Sequence, residues 1–492
     1  MIKLNIRHPY LFAFSLLILT ELLSFFAYFQ ASAQIYLLIA SFLAIFFISL
    51  FSLEIGVLTA AAELIIGSKG HLFSAQLFGF PISLRLIIWT ALLLASLVFI
   101  FRHGIYTSWR QYGKKYQFWP FLIILSAFIS YAIFNGLNRG HALATILTDA
   151  NAWLYLGLLV PILLVYGAGD LASYDRLKKT FLLAVFWLSI KTLILLFIFS
   201  HNLVVMPDIY LWVRRSGIGE ITAMGGGWQR IFLQSQIYLP IAFFLILWPE
   251  IKRLSKNTFK NKLITIGALS ILLAVIIISM SRSFWLAFVC AGVIGSILSW
   301  QLVWKSYLKV LAYSSVALLA AMLLIVIIVK FPYPDPEAGL SAAALAARLD
   351  LNSNEAALAS RWSLLPNLWQ AIKQAPITGQ GFGATVGYYS QDPRILAQHP
   401  DGWYTSYAFE WAYLDTWLKL GFLGLLAYLG WLFYLFFRLW QQGQAPDGEK
   451  YRALAISLLF LMIVNIFTPY LNHPLGLGFL LFSSCFIRKN PL

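Results

Sequence analysis

The sequence predicts an all-α, polytopic integral membrane protein of about 12 to 14 transmembrane helices, with one long outer loop that carries short helices. Three observations support this. Of the 492 residues, 61% are hydrophobic and 11% charged, and mean hydropathy is +0.79; soluble domains run at roughly 45 to 50% apolar and about 25% charged. Apolar runs near the roughly 20 residues that cross a bilayer as a helix recur from one end of the chain to the other. Basic residues collect in short connectors between those runs, not on one soluble face. The formal charge of +16 therefore reflects topology and not nucleic-acid binding.

The candidate spans lie near 9 to 28, 35 to 52, 54 to 67, 84 to 101, 118 to 137, 152 to 168, 180 to 200, 231 to 249, 262 to 280, 284 to 300, 308 to 330, 416 to 437, 453 to 470 and 474 to 487. The third and last are short, hence the range in the count. The N-terminal MIKLNIRHPYLFAFSLLILTELLSFFAYF has a basic start but no small-residue cleavage site, and reads as a retained first span. Cys290 and Cys485 both fall inside apolar spans and suggest neither a disulfide framework nor a zinc site. The whole of 1–492 reads as one transmembrane domain, with 331–415 inserted as a large loop.

Orientation follows from lysine and arginine. RHGIYTSWRQYGKKYQ, DRLKK, KRLSKNTFKNK, WKSYLK and both termini alternate correctly as cytoplasmic. The complementary connectors, 67 to 83, 138 to 151, 201 to 229, the turn at Arg282 and the segment 331 to 415, then face outward. A loop of that last length among tight connectors is usually functional. It contains two helix-like pieces, SAAALAARLDLNSNEAALAS and RWSLLPNLWQAIKQ. In the second, Trp362, Leu365, Trp369 and Ile372 recur at spacings of three and four, a face suited to the membrane surface or to capping a cavity.

Arg230 in GGGWQRIFLQSQ and Arg282 in SMSRSFWLAF stand where an apolar span meets the outer side, and Arg361 stands in the outer loop. One such arginine alone is ordinarily an anchor to lipid headgroups. Three on one side make a coherent anion site, because guanidinium forks bind phosphate oxygens bidentately and keep their charge. The acid/base candidates are the carboxylates and the histidine of the long outer loop: Asp335, Glu337, Asp350, Glu355, Asp392, His399, Asp401, Glu410 and Asp415. Most read as solvated surface. His399 and Glu410 stand apart because they lead into the next span, where a base can reach a hydroxyl at the membrane face. TGQGFG at 378–383 has no strand before it and no GK[ST] after it, so it reads as a turn and not as a nucleotide loop. No metal-ligand spacing occurs and no cofactor is implied.

SMSRSFWLAF, RWSLLPNLWQAIKQAPITGQGFG and EWAYLDTWLKLGFLGLLAYLGWLFYL resemble, in order and spacing, the O-antigen ligase and polymerase family of bacterial membrane glycosyltransferases. The resemblance covers roughly residues 220 to 435. It implies a GT-C-like membrane fold in the bacterial inner membrane, with the long loop and active site facing the periplasm. The implied reaction is metal-independent transfer of glycan from a polyprenyl (undecaprenyl) diphosphate-linked oligosaccharide to a sugar hydroxyl on a glycan or lipid-linked acceptor. It places the family's arginines on Arg282 and Arg361, and by looser match on Arg230, to grip the diphosphate. One position departs from the ligase pattern: counting back from Gly421, the place of the ligase histidine is taken by Glu410, and the loop's histidine lies eleven residues earlier, at His399. Either can be the base, and the departure favours polymerase over ligase.

A transporter or flippase for lipid-linked or anionic solutes is the reading from a different class. It predicts charges deep in several spans, related halves and short loops on both sides; here the charges noted gather at the outer rim and one loop dominates. A cytoplasmic nucleotide-sugar synthase requires a sizeable inner domain, and no inner connector is long enough.

Overall fold

The computed structural model describes residues 9–77, 80–104, 118–167, 171–224, 228–253, 258–335, 356–445 and 448–487. Helices α1 (Pro9–Phe29), α2 (Ala31–Phe51) and α3 (Leu53–Ile66) are separated by single extended residues, Gln30 and Ser52. A hairpin of β1 (Ser74–Leu77) and β2 (Phe80–Ser83) leads into α4 (Leu84–His103). The Ser83 hydroxyl caps α4 by accepting a hydrogen bond from the Leu86 N–H at 3.3 Å. Then come α5 (Trp119–Asn138), α6 (Leu143–Leu154), α7 (Leu159–Tyr166), α8 (Leu171–Ser200) and α9 (Met206–Arg215). A second hairpin, β3 (Gly219–Ala223) with β4 (Gln229–Leu233), precedes α10 (Tyr238–Arg253), α11 (Phe259–Ile278), α12 (Arg282–Leu298) and α13 (Trp300–Val329). The loop region holds α14 (Ala356–Gln374) and a hairpin of β5 (Val386–Tyr389) and β6 (Trp403–Ser406); α15 (Ala412–Gly443), α16 (Glu449–Phe467) and α17 (Pro474–Ser484) close the described chain.

The fold is all-α and polytopic. Among the described residues, ten helical segments are long and apolar enough to cross a membrane, α12 and α17 are apolar but shorter, and α3 and α10 have 14 and 16 residues. Together they account for the fourteen stretches read as candidate spans, with two differences. The stretch at 152–168 is parts of two helices, α6 and α7, joined by a 3-10 turn at Tyr155–Leu158. The stretch at 231–249 begins as strand β4, because Gln229–Leu233 pairs in register with Gly219–Ala223 before the helix starts.

By its internal packing the chain forms two compact units: Met1–Lys115 with Gly157–Leu349 and Pro446–Ser457, and Tyr116–Leu156 with Asp350–Ala445 and Leu458–Leu492. The charges are not confined to the outer rim, as the sequence reading has them: in the first unit some are buried within apolar helices and matched to partners, as burial of an ion requires. Arg85 donates through Nε and Nη2 to both oxygens of Glu63, at 2.9 and 3.0 Å, and to the Ser68 carbonyl at 2.7 Å. Lys191 pairs with Glu21. The connectors assigned to the outer side bond here to residues of the spans and, at His201 and Phe331, to one another. The Ser235 N–H donates to Ser68 Oγ at 3.3 Å, Ser24 Oγ donates to the Leu72 carbonyl at 2.6 Å and Trp212 Nε1 donates to Ser24 Oγ at 3.1 Å. His201 Nε2 lies 2.9 Å from the Phe331 carbonyl.

The second unit is built on α15, which packs against α5 and α14. Tyr428 on α15 donates its hydroxyl hydrogen to the Leu471 carbonyl at 2.9 Å, and its ring meets Trp153 edge-on. Lys419 is buried on the same helix, 2.6 Å from Asp149 and 2.6 Å from Asp415.

Candidate functional site

In the second unit the local sequence of α14 fixes how the site is presented. Leu364, Leu368 and Ile372, at i, i+4 and i+8, are buried with Ala384, Val386, Phe409 and Leu418. The four-residue face read from the sequence is therefore split. Ile372 belongs to the buried stripe, whereas Trp362 and Trp369 are exposed. The tertiary contact with β5 and α15 selects a stripe rotated from the one that tryptophan spacing suggests.

Arg361 stands at the edge of that buried stripe. Its Nε donates to the Glu410 carboxylate, forming a surface ion pair with side chains 35% and 49% exposed. The indole of the neighbouring Trp411 donates to the Arg361 carbonyl at 3.1 Å and packs against Trp362 with centroids 5.6 Å apart. The residues flanking Arg361 tie its turn of helix to the end of β5: Ser363 Oγ donates to the Tyr389 carbonyl at 2.5 Å, and Ser360 Oγ accepts from the Gln391 N–H at 3.0 Å. Two of the candidates separated by 49 positions in sequence are thus brought into direct contact.

His399 is placed differently. It is exposed in the connection between β5 and β6, where its N–H donates to the Ile395 carbonyl at 2.7 Å and its own carbonyl accepts from the Gly402 N–H at 2.9 Å. Its ring faces that of Tyr404, with centroids 6.4 Å apart.

Arg230 and Arg282 belong to the first unit. Arg230 is on strand β4, opposite Thr222, and not at the start of a span as its sequence context suggests. Its Nε donates to the Ser279 carbonyl at 3.1 Å and its guanidinium lies 4.8 Å from the Phe232 ring centre. Ser279 is in the turn between α11 and α12, and Arg282 is the first residue of α12. Met280 in that turn has φ +50. The structure thus brings Arg230 to the turn that precedes Arg282, the first residue of a 17-residue helix.

The glycine turn is occupied by protein on every side, all within the second unit. Gly379, Gly381 and Gly383 have φ of +73, +84 and +80. A Cβ on Gly381 would stand 2.7 Å from the Ala132 carbonyl, and one on Gly379 2.6 Å from the Lys419 carbonyl. The backbone N–H groups that a phosphate loop offers to its ligand are all spent on protein acceptors: Gly379 on Ala375, Gln380 on Leu418, Gly381 on Lys419 and Phe382 on Ala132, at 2.6 to 3.1 Å. The Gly383 N–H donates to Asp149 Oδ2 at 3.0 Å. Lys419 and Asp149 thus hold this turn. Both escaped the sequence reading, although a lysine within TWLKLGF is the kind of intramembrane charge that marks a buried network. Asp415, grouped there among carboxylates that are mostly solvated, is buried against Lys419.

Asp335 and Asp401 are exposed, and Asp392 is partly buried. Glu337, Asp350 and Glu355 lie outside the described residues. Among the described residues no three His, Cys, Asp or Glu side chains converge.

Residues 267–429 match the family model described as O-antigen ligase. The matched stretch contains Arg282, Arg361, His399 and Glu410; Arg230 lies before it. No curated protein matches the chain. The match and the ten apolar helices support glycosyl transfer at a membrane, of the O-antigen ligase or polymerase type.

Proposed function

From a multi-pass membrane chain that carries an O-antigen ligase family region across residues 267–429, we propose an inner-membrane glycosyltransferase. It joins glycan repeat units from a polyprenyl-diphosphate donor onto a sugar hydroxyl at the periplasmic face, and is a polymerase in its outcome. The observation that carries this reading is the Arg361–Glu410 pair. A guanidinium and a carboxylate held together at a surface supply the two groups such a transfer uses. The acceptor hydroxyl oxygen bonds to the anomeric carbon while the bond from that carbon to the diphosphate oxygen breaks. The hydroxyl proton passes to Glu410, and the electron pair leaves on the diphosphate, whose growing charge Arg361 stabilises.

The pairing adds an order of events. Arrival of the diphosphate draws Arg361 from Glu410, since phosphate oxygens compete for the same fork, and so frees the carboxylate as base. Arg230 and Arg282 retain the diphosphate-binding assignment on the chemistry of their own turn. His399 is the alternative base. The description of the matching family favours a second reading, a ligase that hands the glycan to a lipid A core. Purified protein with a polyprenyl-diphosphate oligosaccharide and its acceptors, without nucleotide or added metal, separates the readings. Polymerase gives a ladder of products, ligase one shifted acceptor band, and a donor flipped but never consumed overturns both in favour of transport.

A further inference from the structure

The β5–β6 hairpin has one face turned to the core and one turned outward. Val386 and Tyr388 pack on the core that α14 and α15 share, while Tyr389 and Trp403, directly opposite each other in the register, are 63% and 43% exposed. Their rings meet at 72° with centroids 5.0 Å apart. Between them and Thr405 on the same face lies Gly387, and the six-membered ring of the Trp403 indole rests directly on it: a Cβ there would stand 2.9 Å from Cε2 and 3.2 Å from Cη2. The glycine lets the indole lie flat on the strand, so its other face is open over a broad area.

Exposed aromatic surface of this extent is costly in water and commonly marks a binding surface. Two features decide what it binds. The surroundings are polar: Thr405, Gln391 and Asp401 are exposed, and Asp401 Oδ1 accepts the backbone N–H of Trp403 at 3.3 Å. That rim suits hydroxyl groups. The platform also adjoins the proposed transfer site, because Ser363 and Ser360, on either side of Arg361, bond to Tyr389 and Gln391. By contrast, Trp369 packs through Trp417 onto Phe422, an exposed residue of span α15, as membrane-belt aromatics do.

We infer that Trp403 and Tyr389 form a carbohydrate subsite beside the Arg361–Glu410 pair, stacking the apolar C–H face of a pyranose ring while Asp401, Thr405 and Gln391 take its hydroxyls. The inference rests on the glycan-transfer reading and specifies how that site holds sugar away from the diphosphate.

The test uses the full chain in lipid nanodiscs and oligosaccharides released by mild acid from the source cell's own surface polysaccharide. Saturation-transfer NMR reads which sugar protons touch protein, and a titration gives the affinity. Sugar ring protons are expected to receive saturation; Trp403→Ala and Tyr389→Ala each weaken binding about tenfold, and Trp403→Phe, which keeps a flat ring, stays within about threefold of the parent. Thermal melts confirm that each variant is folded; if Trp403→Ala is not, Tyr389→Ala and Trp403→Phe decide. Equal binding by the alanine variants, or no saturation with the parent protein, overturns the subsite. So does a spin label at position 403 that is accessible to oxygen dissolved in lipid but not to a water-soluble nickel complex, which places the platform in the membrane. Donor consumption by the parent protein is measured separately. Consumption without sugar saturation sinks the subsite alone, and saturation lost in the alanine variants but without consumption sinks the transfer reading alone.

Discussion

Arg361 and Glu410 have different expected signatures although they share one ion pair. Arg361→Ala removes a stabiliser of the leaving group and is expected to lower kcat about 10² to 10³-fold. Glu410→Gln keeps the shape but cannot take a proton, with an expected loss of about 10² to 10⁴-fold. His399→Ala, in the exposed connection, is expected to change turnover little. Single-turnover rates with saturating donor read all three, and full activity of Glu410→Gln beside a dead His399→Ala reverses the assignment of the base. Both residues were visible as candidates in the sequence, Arg361 as a cation of the outer loop and Glu410 as a carboxylate leading into the next span. Their contact was not, because it depends on α14 and the start of α15 packing around one apolar cluster.

Helix α15 is broken at Gly421, which has φ +74 and ψ 175. The glycine turn repairs the break. Gln380 and Gly381 donate to the Leu418 and Lys419 carbonyls that the kink releases, and the Pro376 carbonyl accepts the Phe422 N–H at 2.9 Å. A backbone interrupted inside a span must find such partners. The two glycine motifs that carry the family resemblance, PITGQG and GFLG, are therefore two sides of one joint. Gly381→Ala drives a Cβ against the Ala132 carbonyl in a left-handed backbone, and is expected to cost more than the roughly 1 to 2 kcal/mol of conformational strain alone. Gly140→Ala is the control: its φ is +76 with nothing within 4 Å of the added carbon, so it isolates the strain. Thermal unfolding in detergent compares them, and equal losses mean that the joint is loose.

For the molecule as a whole, the distribution of basic connectors sets an expected topology. With Cys290 and Cys485 replaced by serine, a cysteine at the exposed Asp401 is expected to react with an impermeant maleimide in intact spheroplasts. One at Lys262, at the start of α11, is expected to react only after permeabilisation. The reverse pattern inverts the orientation and moves the proposed chemistry to the cytoplasm. Sequence alone determined the class of the protein and the position of nearly every span, because hydropathy over some 20 residues is a local property that the bilayer enforces regardless of neighbours. It also singled out Arg230, Arg282 and Glu410 as candidates, since a charge beside an apolar run needs a reason to be there. Only the tertiary structure decided that Arg361 meets Glu410, that Arg230 reaches the turn opened by Arg282, that Lys419 is paired and buried, and that the glycine turn mends a helix instead of cradling phosphate. Those contacts join segments from distant parts of the chain, and no local pattern encodes which of them will close on each other.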